Sequence, residues 1–239
     1  MTLWVAAKIG AYFRNRPRNP EETEREDFDV IVAATMTLLA LIIGFSFSMA
    51  SSRYDQRKNL EESEAHAIGT EYVRANFLSP ADAARVHTLV KNYLEQRVLF
   101  HETREDRKLQ QIKAASDQLE TDMWSAVQVP AAAQPTPLLT IAVTGMNDVL
   151  NSGRYTQAAW LNRIPLAAWG LMLAIAICCN LLVGYGTRRG KARAVLLLVL
   201  PLIVSISFSL IANIDSPRGG LVRVHPQNLS GLSQSLNAH

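Results

Sequence analysis

Cysteine is almost missing from this chain: two in 239 residues, Cys178 and Cys179. Neighbours in an apolar run, they cannot close an ordinary structural disulfide on each other and have no third thiol to pair with. That excludes a disulfide framework and a cysteine metal cluster. Histidine is also sparse, five residues in all, and neither His66 nor His101 stands in a recognised ligand pattern, so no metal is expected. No stretch alternates apolar and polar residues as a half-buried strand does. A nucleophile elbow, a phosphate loop and a dinucleotide fingerprint are absent too. No catalytic residue and no cofactor is expected, and the chain does not read as an enzyme.

What is present is a contrast. Apolar residues make up 49% and charged residues 19%, too charged for a protein wholly in the membrane and too apolar in patches for a soluble one. A few spans joined to a soluble module fit both numbers. The formal net charge of +3 comes from short arginine clusters beside apolar runs, which points to membrane topology and away from nucleic acid. The opening MTLWVAAKIGAYF leads into arginines where a signal peptide has a small-residue cleavage site. It is too short to span.

Residues 1–27 are therefore expected to form an interfacial helix, Leu3 to Phe13, and a charged linker. Residues 28–50 form a first transmembrane helix, which nothing separates from the polar stretch after it, so one helix should leave the membrane and end near Ser79-Pro80. Residues 51–163 form an extramembrane helical bundle. Ser79-Pro80 and Thr136-Pro137 mark two helix starts, the chain should break at PAAAQPTP, and Tyr93, Arg97 and Trp124 belong to the bundle core and its polar edge. Residues 164–186 and 194–214 are two further transmembrane helices, and 215–239 a polar, loosely attached tail. Trp160 and Trp169 would anchor the second span at the interface. The fold class is all-α: three transmembrane helices and a helical bundle into which the first span continues.

Each span carries a stripe of small or polar residues at four-residue spacing. The first has Ala40, Gly44, Ser48 and Ser52, the second Gly170, Ala174 and Cys178, and the third Pro201, Ser205, Ser209 and Asn213. Such stripes let helix backbones approach closely in lipid; the last could also line an aqueous path, where hydroxyls replace part of an ion's hydration shell. Packing is the first reading, because three such faces are what a bundle needs. Two ion pairs are expected, Glu64 with Arg97 inside the bundle and Arg163 with Asp215 at the membrane exit.

The runs GFSFSMASSRYDQRKNLEESEAHAIGTEYVRANFL, YLEQR, RIPLAAWGLML and NIDSPRGGLVRV resemble, in this order, the bestrophin-like domain family of bacterial membrane proteins. The most specific pieces hold Glu64, Ala65, Gly69 and Tyr72 in one run and Asp215, Pro217, Arg218 and Gly219 in the other. Members generally begin with an additional full span, where this chain has only Leu3 to Phe13. The resemblance implies remote kinship with bestrophins, which are pentameric anion channels, and hence an oligomeric ion channel. The competing expectation is a non-conducting scaffold or sensor whose bundle binds a partner. The expected partners are the lipid bilayer, further copies of the chain and small inorganic ions. With the basic clusters Arg14 to Arg18 and Arg188 to Arg193 inside, the chain would sit in the bacterial inner membrane with its bundle outside the cytoplasm.

Overall fold

The computed structural model describes residues 2–13, 22–186 and 191–238. Among them all regular structure is helical: α1 (Thr2–Phe13), α2 (Glu22–Arg74), a 3-10 turn (Ala75–Phe77), α3 (Pro80–Glu102), α4 (Asp106–Ala133), α5 (Pro137–Leu161), α6 (Leu166–Gly186), α7 (Lys191–Asp215) and α8 (Gln227–Asn237). Among the described residues three stretches are long and apolar enough to cross a membrane, within Glu26–Phe77, Pro137–Gly186 and Leu197–Asp215. The basic clusters at 14–18 and 188–193, on which the expected orientation rests, lie outside the described side chains. The chain divides into two units, 1–52 with 163–216 and 53–162 with 217–239. Helix α2 belongs to both, running 53 residues without a break because no proline or glycine cluster interrupts it.

In the first unit, α1 packs along α6. Small residues make this possible. Ala6, Ala7, Gly10 and Ala11 are buried, and the contact is reciprocal. A Cβ on Gly10 would lie 2.1 Å from the Leu181 carbonyl oxygen, and one on Gly184 2.0 Å from that of Ala7. Two helix backbones touch here through glycine. The segment expected to lie alone at an interface thus has a helical partner in its own chain.

Most residues of the stripes expected to pack the spans against one another face outward. Ala40, Gly44, Ser48 and Ser52 of α2 are exposed, as are Gly170, Ala174 and Cys178 of α6 and Ser205 and Ser209 of α7; Pro201 is buried and Asn213 half-buried. Beyond the helix's own adjacent backbone, nothing lies within 4 Å of where a Cβ on Gly44 or Gly170 would sit. The packed faces instead present Leu39, Ser46 and Ala50 from α2, Met172, Ala176 and Cys179 from α6, and Pro201, Val204 and Ile211 from α7. Ser46 donates to Met172 Sδ at 3.1 Å and Cys179 to the Thr35 carbonyl at 3.3 Å. Small residues allow close approach without requiring it: Ser46, Ala50 and Ala176 lie on the packed faces while Ala40, Gly44 and Ala174 do not.

The second unit is built as its caps dictate. Ser79 Oγ accepts the Asp82 amide and Thr136 Oγ1 the Leu139 amide, each at 3.3 Å with a proline following the cap. Helix α4 continues through Pro130 to Ala133 before the chain breaks, since a proline this near the end removes little of the hydrogen-bond ladder. The core gathers Ile68, Val86, Val90, Tyr93, Leu94, Met123, Val127, Met146 and Val149. Leu229 joins them fully buried, because the C-terminal stretch forms α8 and docks. Helix α8 has apolar residues at 229, 232 and 236, a helical stripe that its serine-rich composition conceals.

Candidate functional site

The part of α2 in the second unit turns one stripe inward, and that stripe is ionic. Arg57, Glu61, Glu64 and Glu71 recur at three-, four- and seven-residue intervals, all no more than 1% exposed, with Ile68 among them. Helix α3 answers with Tyr93, Arg97 and His101 at four-residue spacing, also buried.

Glu64 and Arg97 meet as a bidentate pair. Arg97 Nε bonds Glu64 Oε1, and Nη2 lies 3.3 Å from Oε2 and 3.5 Å from the Gly153 carbonyl oxygen. Burial works against the guanidinium's charge, but Glu64, Tyr93 and Glu120 together offset it, so the pKa of Arg97 rises. Burial also raises that of Tyr93. Glu61 is used differently. Its Oε1 accepts the Leu229 amide at 2.9 Å and its Oε2 the Asn228 side-chain amide at 2.8 Å, placing a carboxylate at the positive N-terminus of α8. Lys91 donates to the Leu236 carbonyl near the other end. Both ends of α8 are thereby held by charges of matching sign.

Arg218 closes α3. Its Nη1 donates to the Phe100 carbonyl at 3.0 Å and that of Thr103 at 3.3 Å, the free carbonyls of a helix C-terminus. Its guanidinium lies 4.6 Å from the centre of the Phe100 ring and 4.4 Å from that of Trp160. Arg97 is also 4.6 Å from the Phe100 ring. Trp160 is 4% exposed, so it is a core residue of this cluster and not an interfacial anchor. His101 packs edge-on against Trp160 and Phe100; burial first, then Arg97 and Arg218, lower its pKa to about 3. Glu71 goes the other way: burial raises its pKa to about 8, partly opposed by Arg74 and reinforced by Asp148.

The other residues singled out in the sequence are dispersed. Ala65 is buried and Gly69 sits against Leu232, 3.2 Å from where its Cβ would be. The Tyr72 ring stacks on that of His87 at 4.1 Å. Pro217 is buried and Gly219 exposed. In the first unit, both oxygens of Asp215 lie 3.1 Å from the backbone nitrogen of Ile164. Arg163 is exposed, and no described ion pair joins it to Asp215. The carboxylate accepts from the backbone amide beside the arginine, in the stretch that leads into α6. Among the described residues no three His, Cys, Asp or Glu side chains converge as a metal site would need.

Sequence reasoning did not single out Arg57 and Glu61, and it weighed Glu71 and His101 only as metal ligands, not as buried members of these stripes. The signal was their spacing, since Arg57, Glu61 and Glu71 fall at helical intervals from Glu64 and Ile68, and His101 one turn beyond Tyr93 and Arg97. Among the described residues the arrangement offers a buried ion pair and capped helix ends.

The comparisons agree with this architecture. The family model described as the Bestrophin-like domain matches residues 1–229. A bacterial bestrophin homologue from Klebsiella pneumoniae has a TM-score of 0.68 at 12% identity, over 99% of this chain and 96% of that one. Two point variants of the Klebsiella pneumoniae homologue each score 0.69, at 11% and 12% identity, covering 99% of this chain and 97% and 96% of theirs. At such identity the likeness is one of fold. No curated protein sequence matches the chain. The match to the family model over nearly the whole length makes this membrane protein a member of the bestrophin-like domain family.

Proposed function

We propose that the chain is one subunit of a homo-oligomeric, bestrophin-like ion channel, anion-type, in the bacterial inner membrane with its helical unit outside the cytoplasm. The observation that carries this reading is the outward position of the stripes of small and polar residues, with their serines. Ala40, Gly44, Ser48 and Ser52 on α2, with Ser205 and Ser209 on α7, are exposed on a single chain, where lipid has nothing to offer a hydroxyl. Three helices cannot enclose a wide path. Several copies around an axis can, with α2 lining it and the Pro201 to Asn213 seam beside it or at the subunit contact. Family membership supports the same kind of protein. No enzymatic role is proposed.

The test is purified protein in planar bilayers, with its oligomeric state measured in lipid. Unitary chloride currents from a defined oligomer are expected; a monomer in lipid, or an oligomer silent in both chloride and potassium, defeats the channel. A silent oligomer would favour the scaffold or sensor, for which a groove of about 760 Å³ on the helical unit, with Val73, Phe77 and Ile141 in its lining, is the supporting observation.

A further inference from the structure

Glu71 has no part in the ion pairs or caps of the helical unit, yet it is fully buried. Neither carboxylate oxygen has a hydrogen-bond partner. It lies where α2 meets α5, and Gly145 makes the room: a Cβ there would be 2.1 Å from Glu71 Oε2 and 2.7 Å from Arg74 Nη1. The carboxyl group is thus pressed against the α5 backbone with a guanidinium close by but not bonded to it. Arg74 is half-buried, is the last residue of α2 and lines the groove beside Val73 and Phe77. It can move.

An ionised carboxylate with no donor in a dry contact is among the costliest states a protein can hold, whereas a protonated one is tolerable. Glu71 lies about 20 residues beyond the first span, ~30 Å of helix at about 1.5 Å per residue, so its proton exchanges with bulk solvent. We propose that Glu71 is a proton-operated switch: protonated, it seats α5 on α2; ionised, it releases its proton to solvent, draws Arg74 inward from the groove and loosens the contact at Gly145. The charged groups facing it are Arg74 on its own helix and Asp148 on α5. They pull in opposite directions. The group's burial-raised pKa of about 8 puts the change within reach of mild alkali. The switch acts in the helical unit whether or not the oligomer conducts.

The experiment uses the whole chain in lipid nanodiscs with Cys178 and Cys179 replaced by alanine and spin labels at Val73→Cys and Leu138→Cys, which are 63% and 53% exposed on α2 and α5. The distance between labels is measured from about pH 6 to about pH 9.5. Expected is a reversible lengthening with a midpoint near pH 8, abolished by Glu71→Gln. Arg74→Gln should move the midpoint up and Asp148→Asn move it down, and these two carry the test if Glu71→Gln does not fold. A distance indifferent to pH, a transition that survives Glu71→Gln, or coincident midpoints in the Arg74 and Asp148 variants would overturn the proposal.

Discussion

Gly153 faces Tyr93 so closely that a Cβ on it would lie 2.3 Å from the phenol oxygen and 3.6 Å from Glu64 Oε1. The Tyr93 hydroxyl is buried without a hydrogen-bond partner, so it contributes bulk to this contact and little else. Gly153→Ala should therefore cost about 1–3 kcal/mol as an overpacked core substitution. Tyr93→Phe should be close to neutral, and the double variant should recover most of the loss. Unfolding in detergent, followed by helical circular dichroism, measures all three; an equal cost of Gly153→Ala in both backgrounds would show that the hydroxyl is not what it strikes.

How much of this could be read beforehand differs between the two units. The spans, the caps at Ser79 and Thr136 and the meeting of Glu64 with Arg97 follow from length, cap chemistry and the helical period, all local properties. Which face of a span turns inward does not. Ala40 and Ser48 share a face with each other, but whether another helix covers that face depends on partners the spacing cannot specify. A close backbone contact joins Gly10 to α6, and nothing local ties a short first segment to residues near 184. The docking of α8 was hidden in a similar way, its three apolar positions diluted by serine and glutamine. Buried charge is the hardest to foresee, since the same stripe residues would suit a solvated face.

Replacing Arg97 alone leaves the Glu64 carboxylate buried without its cation. Arg97→Met should destabilise by about 3–5 kcal/mol, the usual consequence of orphaning one member of a buried pair. Glu64→Leu added to it should return most of that loss. If the double variant is as unstable as Arg97→Met, the pair is held by its wider setting at Gly153 and Phe100 more than by mutual neutralisation.

Helix α1 is bound to α6 by the absence of side chains at Gly10 and Gly184. Gly184→Leu should push the two helices apart, whereas Gly44→Leu, where a Cβ meets nothing within 4 Å beyond the helix's own adjacent backbone, should leave a single subunit's fold intact. Proteolytic release of residues 1–13 in detergent reads the difference. Equal susceptibility of both variants would show that the glycine contact does not hold α1.

Removing the carboxylate of Glu61 takes away the cap on α8. Glu61→Ala should cost about 1–2 kcal/mol, in the range of a lost N-cap, and should expose the chain after residue 226 to protease before the rest of the helical unit opens. Lys91→Met, at the other end, should have a smaller effect in the same direction. Simultaneous loss of α8 and the unit's core signals would mean that this helix is part of one cooperative fold and not a separable strap.

His101 sets the acid limit. In the native protein it is buried, edge-on to Phe100 and Trp160, and kept neutral down to about pH 3 against an ordinary value of 6.5. Its folded pKa is depressed, so below about 6.5 the unfolded chain takes up a proton that the native state refuses. Stability linked to this residue is then complete above pH 6.5 and drains away as the pH falls toward 3. His101→Phe keeps an aromatic ring against Phe100 and Trp160 and removes the titrating group. The variant should match the parent near neutral pH and fall less steeply in melting temperature toward pH 4, the gap widening as acid increases. Parallel melting curves across that interval would show that other groups, not His101, govern acid unfolding.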